Sequence, residues 1–369
     1  MAGSSFGKNF RITTWGESHG EALGAVVDGC PAGIKLSEAD LQKDLDRRKP
    51  GRTEFATPRQ EADQVKILSG VFEGYTTGTP ISLIIYNNNQ RPYDYSEIAQ
   101  YYRPGHADYT YDQKYGFRDY RGGGRSSGRE TAARVGAGAI AKKLLAEFGI
   151  EINAYTYSIG NVEINPERFQ KEEVSNNPVA MPDPIAAEQA VEFLRKIKDQ
   201  EDSAGGVVEC IVNNVPAGLG EPVFEKLDAM LGRAIFSIGA VKAVEIGSGI
   251  NASKMTGWEH NDFYRYSEDQ ILTKESNNAG GILGGISDGF PIKLRAHIKP
   301  TPSIHKQQRT VNKAGENINI QVKGRHDPII VPRAVIVVEA MVALTLADYL
   351  LQNTMSNIKL LKRALQAPE

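Results

Sequence analysis

Three of the six histidines sit where the chain must turn. His19 lies in "WGESHGEALG", between glycines and beside Glu17 and Ser18. His106 lies in "RPGHADYTYDQKYG", just after Pro104-Gly105 and two residues before Asp108. His326 lies in "GRHDP", between Arg325 and Asp327. A turn histidine beside a carboxylate can titrate in the range useful for proton transfer. No histidine shows metal-type spacing such as H-E-x-x-H, so no metal site is expected. Arginines cluster nearby in sequence: Arg47-Arg48-Lys49 with Arg52, and Arg121, Arg125, Arg129 and Arg134. The guanidinium fork binds phosphate or carboxylate with two bonds. Together these residues suit a small polyanionic substrate that is clamped while protons move.

The stretch "YRGGGRSSGRET", residues 120–131, runs three glycines into a serine-capped helix. Backbone N–H groups, the positive end of the helix dipole and Arg125, Ser126 and Ser127 would make an anion site there. The spacing matches neither the P-loop nor the dinucleotide fingerprint. A structural turn and an RNA-binding arginine-glycine tract are the alternatives. The tract is single and flows into a regular helix, which favours the anion site over RNA.

The elements that must position these residues are partly legible. "EALGAVVDG" reads as a strand, preceded by a strand and turn from residue 10. "SEADLQKDLDRRKPG" is a helix with Ser37 as cap, Asp40 three residues on and Pro50-Gly51 as stop. In "SGRETAARVGAGAIAKKLLAEFG" the Ser127–Glu130 spacing predicts a capping box and Gly149 a C-terminal cap. Its small-residue face, Ala133, Gly136 and Ile140, requires close packing. "DPIAAEQAVEFLRKIKDQ" is a further helix after a surface loop over 161–184. "GGVVECIVNNVPAG" and "FPIKLRAHIKP" are strands. In the latter, apolar Ile292, Leu294, Ala296 and Ile298 alternate with Lys293, Arg295, His297 and Lys299. "GAVVDGCPAGIKL" (24–36) and "GGISDGFPIKL" (284–294) look alike, a hint of internal duplication. Strands and helices without regular βαβ alternation indicate an α+β class.

The 369 residues carry 43 basic and 45 acidic side chains, a formal net charge of -2, which argues against a dedicated nucleic-acid binder. Two cysteines, Cys30 and Cys210, sit among small or apolar residues and read as reduced thiols. The N-terminal residues have no signal-type apolar core. "AVIVVEAMVALTLADYLL" contains Glu339 and Asp348 and reads as a buried helix, not a membrane span. A cytoplasmic protein is expected.

From end to end the chain resembles the chorismate synthase family. The similarity lies in "FRITTWGESHGEALGAVVDGCPAG", "DLDRRKPG", "QVKILSGVFEGYTTGTPI", "YRPGHADYTYDQKYGFRDYRGGGRSSGRETAARVGAGAIAKKLL", "VPAGLGEPVFEKLDAML", "NNAGGILGGISDGFPIKLRAHIKPTPSI" and "GRHDPIIVPRAVIVVEAMVALTLADYLL". The resemblance implies a single domain over 1–369 with a β-α-β sandwich fold, of the monofunctional type without a fused flavin reductase. It implies a carbon–oxygen lyase at the last step of the shikimate pathway. The reaction is the 1,4-trans elimination of phosphate from 5-enolpyruvylshikimate 3-phosphate to give chorismate. It proceeds without net redox change but requires reduced FMN, which lends an electron as phosphate leaves. A homotetramer, and a separate reductase drawing on NADPH, are further implications.

Carried over residue by residue, the resemblance makes His19 the acid near the leaving phosphate, His106 the histidine near the flavin, and Asp327 the base. Flavin contacts fall on Arg125, Ser126, Ser127, Gly239, Ala240, Gly284, Arg325 and the run Lys299, Pro300, Thr301, Pro302 and Ser303. Substrate contacts fall on Arg48, with Arg52, Arg129 and Arg134 completing the anionic surface. The chain departs from the family pattern in two places. Glu54 stands where an arginine is usual, leaving Arg52 as its possible substitute, and Gly239 stands where an asparagine is usual. His260 and His305 match no catalytic position. Within this set of readings a polyanion-binding protein lacks the basic excess, and a phosphotransferase lacks a P-loop lysine.

Overall fold

The computed structural model describes residues 3–51, 53–55, 61–88, 97–322 and 327–366. Two five-stranded antiparallel sheets enclose a layer of helices. The first sheet is built from β1 (Ser5–Phe6), β2 (Arg11–Gly16), β3 (Ala22–Asp28), β4 (Val65–Ile67) and β5 (Ile81–Tyr86), in the order β1-β2-β3-β5-β4. The second contains β6 (Glu151–Ile159), β7 (Val162–Glu163), β8 (Gly206–Asn213), β9 (Val241–Ile246) and β10 (Ile292–Ile298), in the order β9-β10-β8-β6-β7. The main helices are α1 (Glu38–Arg48), α2 (Thr131–Ala146), α3 (Leu227–Phe236) and α4 (Val331–Asn353). Helix α2 packs on the first sheet, α4 on the second, and the two pack on each other. This is the expected α+β sandwich.

The small residues of α2 explain that contact. A Cβ added at Gly138 would fall 2.4 Å from the Ala340 Cβ, so the helix axes approach as closely as their backbones allow. Helix α4 is long and apolar enough to cross a membrane, but 89% of its apolar window is buried between the sheets. Its two acids are spent internally. Glu339 accepts from Arg47 and Lys142, and Asp348 accepts from the backbone N–H groups of Lys8, Asn9 and Phe10. Burial of a carboxylate is tolerated when it is paired in this way.

The two halves repeat, in a register different from the one suggested by sequence. Val27 pairs with Ile81 as Val212 pairs with Ile292, so β3 corresponds to β8 and β5 to β10. The isolated bridge Lys35–Tyr75 likewise corresponds to Gly220–Ile286. "GAVVDGCPAGIKL" therefore matches the segment around "NNVPAGLG", and "GGISDGFPIKL" matches "EGYTTGTPISL". The detail repeats as well. Thr76 Oγ1 donates to Pro31 O (2.6 Å) and accepts from Ile34 N (3.0 Å). Ser287 Oγ donates to Pro216 O (2.6 Å) and accepts from Leu219 N (2.9 Å). Each half continues from its last sheet strand through a long connection into its core helix, residues 87–130 into α2 and 299–330 into α4.

Local expectations fare unevenly. In α1, Ser37 N and Oγ both donate to Asp40 Oδ2, at 2.9 and 2.7 Å, as the cap spacing requires. The helix Pro184–Asp199 and strands β3, β8 and β10 form where predicted. The 161–184 segment is not plain loop: it contains β7 and two single turns of helix. The capping box at α2 does not form. Ser127 caps a short 3₁₀ turn by accepting from Arg129 N at 3.3 Å, while Glu130 accepts from Thr14 Oγ1 (2.8 Å) and Arg134 Nε (2.7 Å). Stronger tertiary partners draw the Glu130 carboxylate away, and α2 starts at Thr131. Cys30 and Cys210 are buried free thiols.

Candidate functional site

The two long connections meet in a cavity of ≈ 670 Å³ between the halves, beside the N-termini of α2 and α4. Two helix N-termini and a concentration of cations give it a positive potential. The β2–β3 turn contributes His19, the glycine-rich run contributes Gly122, Gly123 and residues 125–128, and the α3–β9 turn contributes Ser237 to Ala240. From the second connection come Lys299, Thr301, Pro302, Ser303 and Asp327.

His19 is buried, with Nδ1 3.0 Å from Ser18 Oγ. Gly122 lies flat against its ring: a Cβ there would fall 2.5 Å from the imidazole Cε1 and Nδ1. His106 joins the two connections. Its Nδ1 is 3.0 Å from Pro104 O and its Nε2 2.8 Å from Ser303 Oγ. A carbonyl can only accept, so Nδ1 carries the proton and Nε2 accepts from the serine hydroxyl. Burial, then the Arg103 charge, push His106 down to about 4, so the ring is neutral near pH 7. Arg103 is held by a bidentate pair with Asp108, at 2.8 Å on each arm, and donates to Gly122 O at 3.2 Å.

Arg48 and Arg129 meet at a fully buried carboxylate, Asp63. Arg48 Nη1 donates to its Oδ2 at 2.6 Å and Arg129 Nη1 to its Oδ1. Arg48 is itself buried and held down to about 10 by burial, against the opposing pull of Asp63. Asp327 Oδ2 accepts from Arg333 Nη1 at 2.9 Å, and Arg333 Nε also donates to Arg48 O at 3.3 Å. Arg333 therefore ties the carboxylate to the arginine cluster. Lys299 is lowered by burial and by neighbouring Lys242.

The cavity thus gathers His19, His106, Asp327, Arg48, Arg125, Ser126, Ser127, Arg129, Arg134, Gly239, Ala240, Lys299, Thr301, Pro302 and Ser303. Some of these face other duties. The Arg125 guanidinium turns back to the first sheet, donating to Gly16 O (3.1 Å), Thr14 O (3.2 Å) and Thr14 Oγ1 (2.8 Å). It anchors the glycine run instead of projecting as a free cation. Arg134 bolts α2 to the α3–β9 turn through Ser237 Oγ at 2.7 Å. Two expected contacts are not brought to the cavity: Pro300, and Gly284, which occupies the turn of the Ile282–Ser287 hairpin at φ +60°. Glu73 holds the equivalent turn in the first half at φ 50°, so position 284 serves the repeat's turn geometry. Arg52, Arg325 and His326 lie outside the described residues.

Sequence reading missed Asp63, Arg103 and Arg333. Arg333 stands in the first turn of α4, immediately before the apolar run predicted as the core helix, which was a usable signal. Asp63 sits in an unpatterned loop and has none.

A flavin would fit the donor set. Gly128 and Gly239 line the cavity with bare backbone, and a Cβ at either would meet no heavy atom within 4 Å. A planar ring could approach both, and the cations suit its phosphate.

The protein is similar to known proteins over nearly its whole length. A family model described as chorismate synthase matches residues 10–351. A chorismate synthase from Lachnoclostridium phytofermentans is 61% identical over 366 residues, covering 99% of this chain and 100% of the relative. One from Methanosarcina barkeri is 55% identical over 360 residues, covering 97% of this chain and 98% of the relative. A crystal structure of chorismate synthase superimposes with a TM-score of 0.77 at 33% identity, covering 98% of this chain and 97% of that one. With the sandwich fold and the cationic cavity in place, the chain belongs to the chorismate synthase family.

Proposed function

We propose that the protein is a single-domain carbon–oxygen lyase that converts 5-enolpyruvylshikimate 3-phosphate to chorismate and inorganic phosphate, closing the shikimate pathway. The observation that carries this reading is the convergence of His19, His106 and Asp327 on one cavity walled by arginines. Such a site can hold an anion, hand a proton to a leaving group and remove one elsewhere.

Reduced FMN, held by Ser126, Ser127, Gly239 and the run from Lys299 to Ser303, would supply transient electron density that loosens the C–O bond. The protein's own residues do the rest. Arg48 and Arg129, fixed by Asp63, stand ready to orient the substrate's anionic groups. His19, wedged between Ser18 and Gly122, is placed to give a proton to the departing phosphate. Asp327, fixed by Arg333, takes the C6 proton. His106 is neutral without ligand, and an anion bound nearby would raise its proton affinity and let it act as a donor. Homotetramer assembly, a cytoplasmic location and a separate NADPH-dependent reductase belong to the same reading.

The test is phosphate release from the substrate with reduced FMN under anaerobic conditions. His19→Ala and His106→Ala should each lower single-turnover rates by roughly 100- to 10,000-fold, the usual share of a general acid. Wild-type rates in both variants would refute these roles.

A further inference from the structure

A second cavity, ≈ 790 Å³, lies behind the first and shares only Arg333 with its lining. The start of α4 is the wall between them. Ile329, Pro332, Val335 and Ile336 face the second cavity, Ile330, Ala334 and Val337 face the first, and Arg333 lines both. The last turn of α1 divides in the same way, with Arg48 on the first side and Arg47 and Lys49 on the second.

The lining of this cavity is chemically two-sided. Phe169 is 42% exposed along it, edge-on to Tyr155 with ring centroids 5.1 Å apart, and Ile152, Ile211 and Val174 continue the apolar wall. Five cations, Arg47, Lys49, Lys142, Lys171 and Arg333, stand against a single lining carboxylate, Glu339. Arg47 and Lys142 are occupied by Glu339 at 2.7 to 2.8 Å, and Lys49 by Asp46 at 3.0 Å. Lys171 has no ion-pair partner among the described residues. An apolar ring wall with unneutralised positive charge at its edge fits a flat, singly charged organic anion. Inorganic phosphate would leave the wall uncovered, and a neutral hydrocarbon would leave the lysine unmatched.

We propose that this second cavity binds a small aromatic carboxylate, and that its occupancy reaches the catalytic side through Arg333. The ring lies along Phe169 and Ile211, and the carboxylate takes Lys171 and competes for Arg333. Arg333 then loses its hold on Asp327 and on the Arg48 carbonyl, and turnover falls. The coupling rests on the role proposed above for Asp327; the binding does not.

The test is calorimetric titration of the full chain with benzoate, with benzyl alcohol as the uncharged counterpart. Benzoate should bind saturably at one site, about tenfold tighter than benzyl alcohol, as a charge-assisted hydrogen bond requires. Lys171→Ala and Phe169→Ala should each weaken it about fivefold or more, and excess inorganic phosphate should not displace it. Absence of saturable binding, binding unchanged in both variants, or displacement by phosphate would overturn the site. Saturating benzoate should also lower phosphate release from 5-enolpyruvylshikimate 3-phosphate; unchanged turnover would overturn the coupling. If the protein released no phosphate under any condition, the catalytic reading would fail while the benzoate titration still decided the site.

Discussion

Arg333 Nη1 donates to Asp327 Oδ2 at 2.9 Å, from the first turn of the core helix to the end of the connection that precedes it. Asp327 is thus positioned by the long buried helix α4. The adjoining arginine cluster is fixed in the same manner, by Asp63 between Arg48 and Arg129. Each half of the repeat supplies one long connection, one core helix and one of these clamps.

His106 should titrate far below an ordinary histidine. Its proton affinity is lowered from 6.5 to about 4, so as pH falls the unfolded chain takes up the proton first. Its contribution to stability is therefore complete above about 6.5 and is lost as pH falls through about 4. Urea unfolding against pH should show an acid-side slope in that window that is reduced in His106→Gln. A ring-proton NMR titration should place the His106 midpoint near the lower value.

Asp63→Asn should be strongly destabilising. It leaves two buried arginines without their shared counter-ion, a loss of about 3–5 kcal/mol by analogy with broken buried ion pairs. Chemical denaturation would read this directly. A loss below about 1 kcal/mol, the scale of a surface pair, would show that Asp63 is not the hub of the wall.

The internal repeat makes its own prediction. Thr76→Val and Ser287→Ala each remove the same two hydrogen bonds from equivalent brackets. Each should cost about 1–3 kcal/mol in urea unfolding, because one buried N–H is left unsatisfied. The two effects should add, since the brackets lie in separate hairpins, one in each half of the repeat. Very unequal losses would argue against equivalent roles.

Much of this was legible from residue types. Ser37 and Asp40 announced the start of α1, and the alternation in β10 announced its buried face. The small residues of α2 announced a close contact without naming Ala340 as the partner. The repeat was sensed but misregistered, because Ile-Lys-Leu occurs by coincidence in non-equivalent places while the true counterparts, "EGYTTGTPISL" and "GGISDGFPIKL", share mainly glycines and proline. Turn geometry, not side-chain identity, is what the repeat preserves. The Ser127–Glu130 box had the right spacing, but Thr14 and Arg134 compete for the carboxylate, and both contacts are set by the tertiary fold. Arg125 lines the cavity, yet its guanidinium is spent on β2, a choice that depends on how the glycine run is folded.

The central claim is that this cavity performs the elimination with Asp327 as the base. The most direct measurement is anaerobic single-turnover phosphate release from 5-enolpyruvylshikimate 3-phosphate with reduced FMN, for wild type and Asp327→Asn, alongside flavin binding by each. The account predicts phosphate release by wild type, loss of most turnover in Asp327→Asn, and unchanged flavin affinity. Wild-type turnover in Asp327→Asn, or no release by wild type with authentic substrate and reduced flavin, would contradict it.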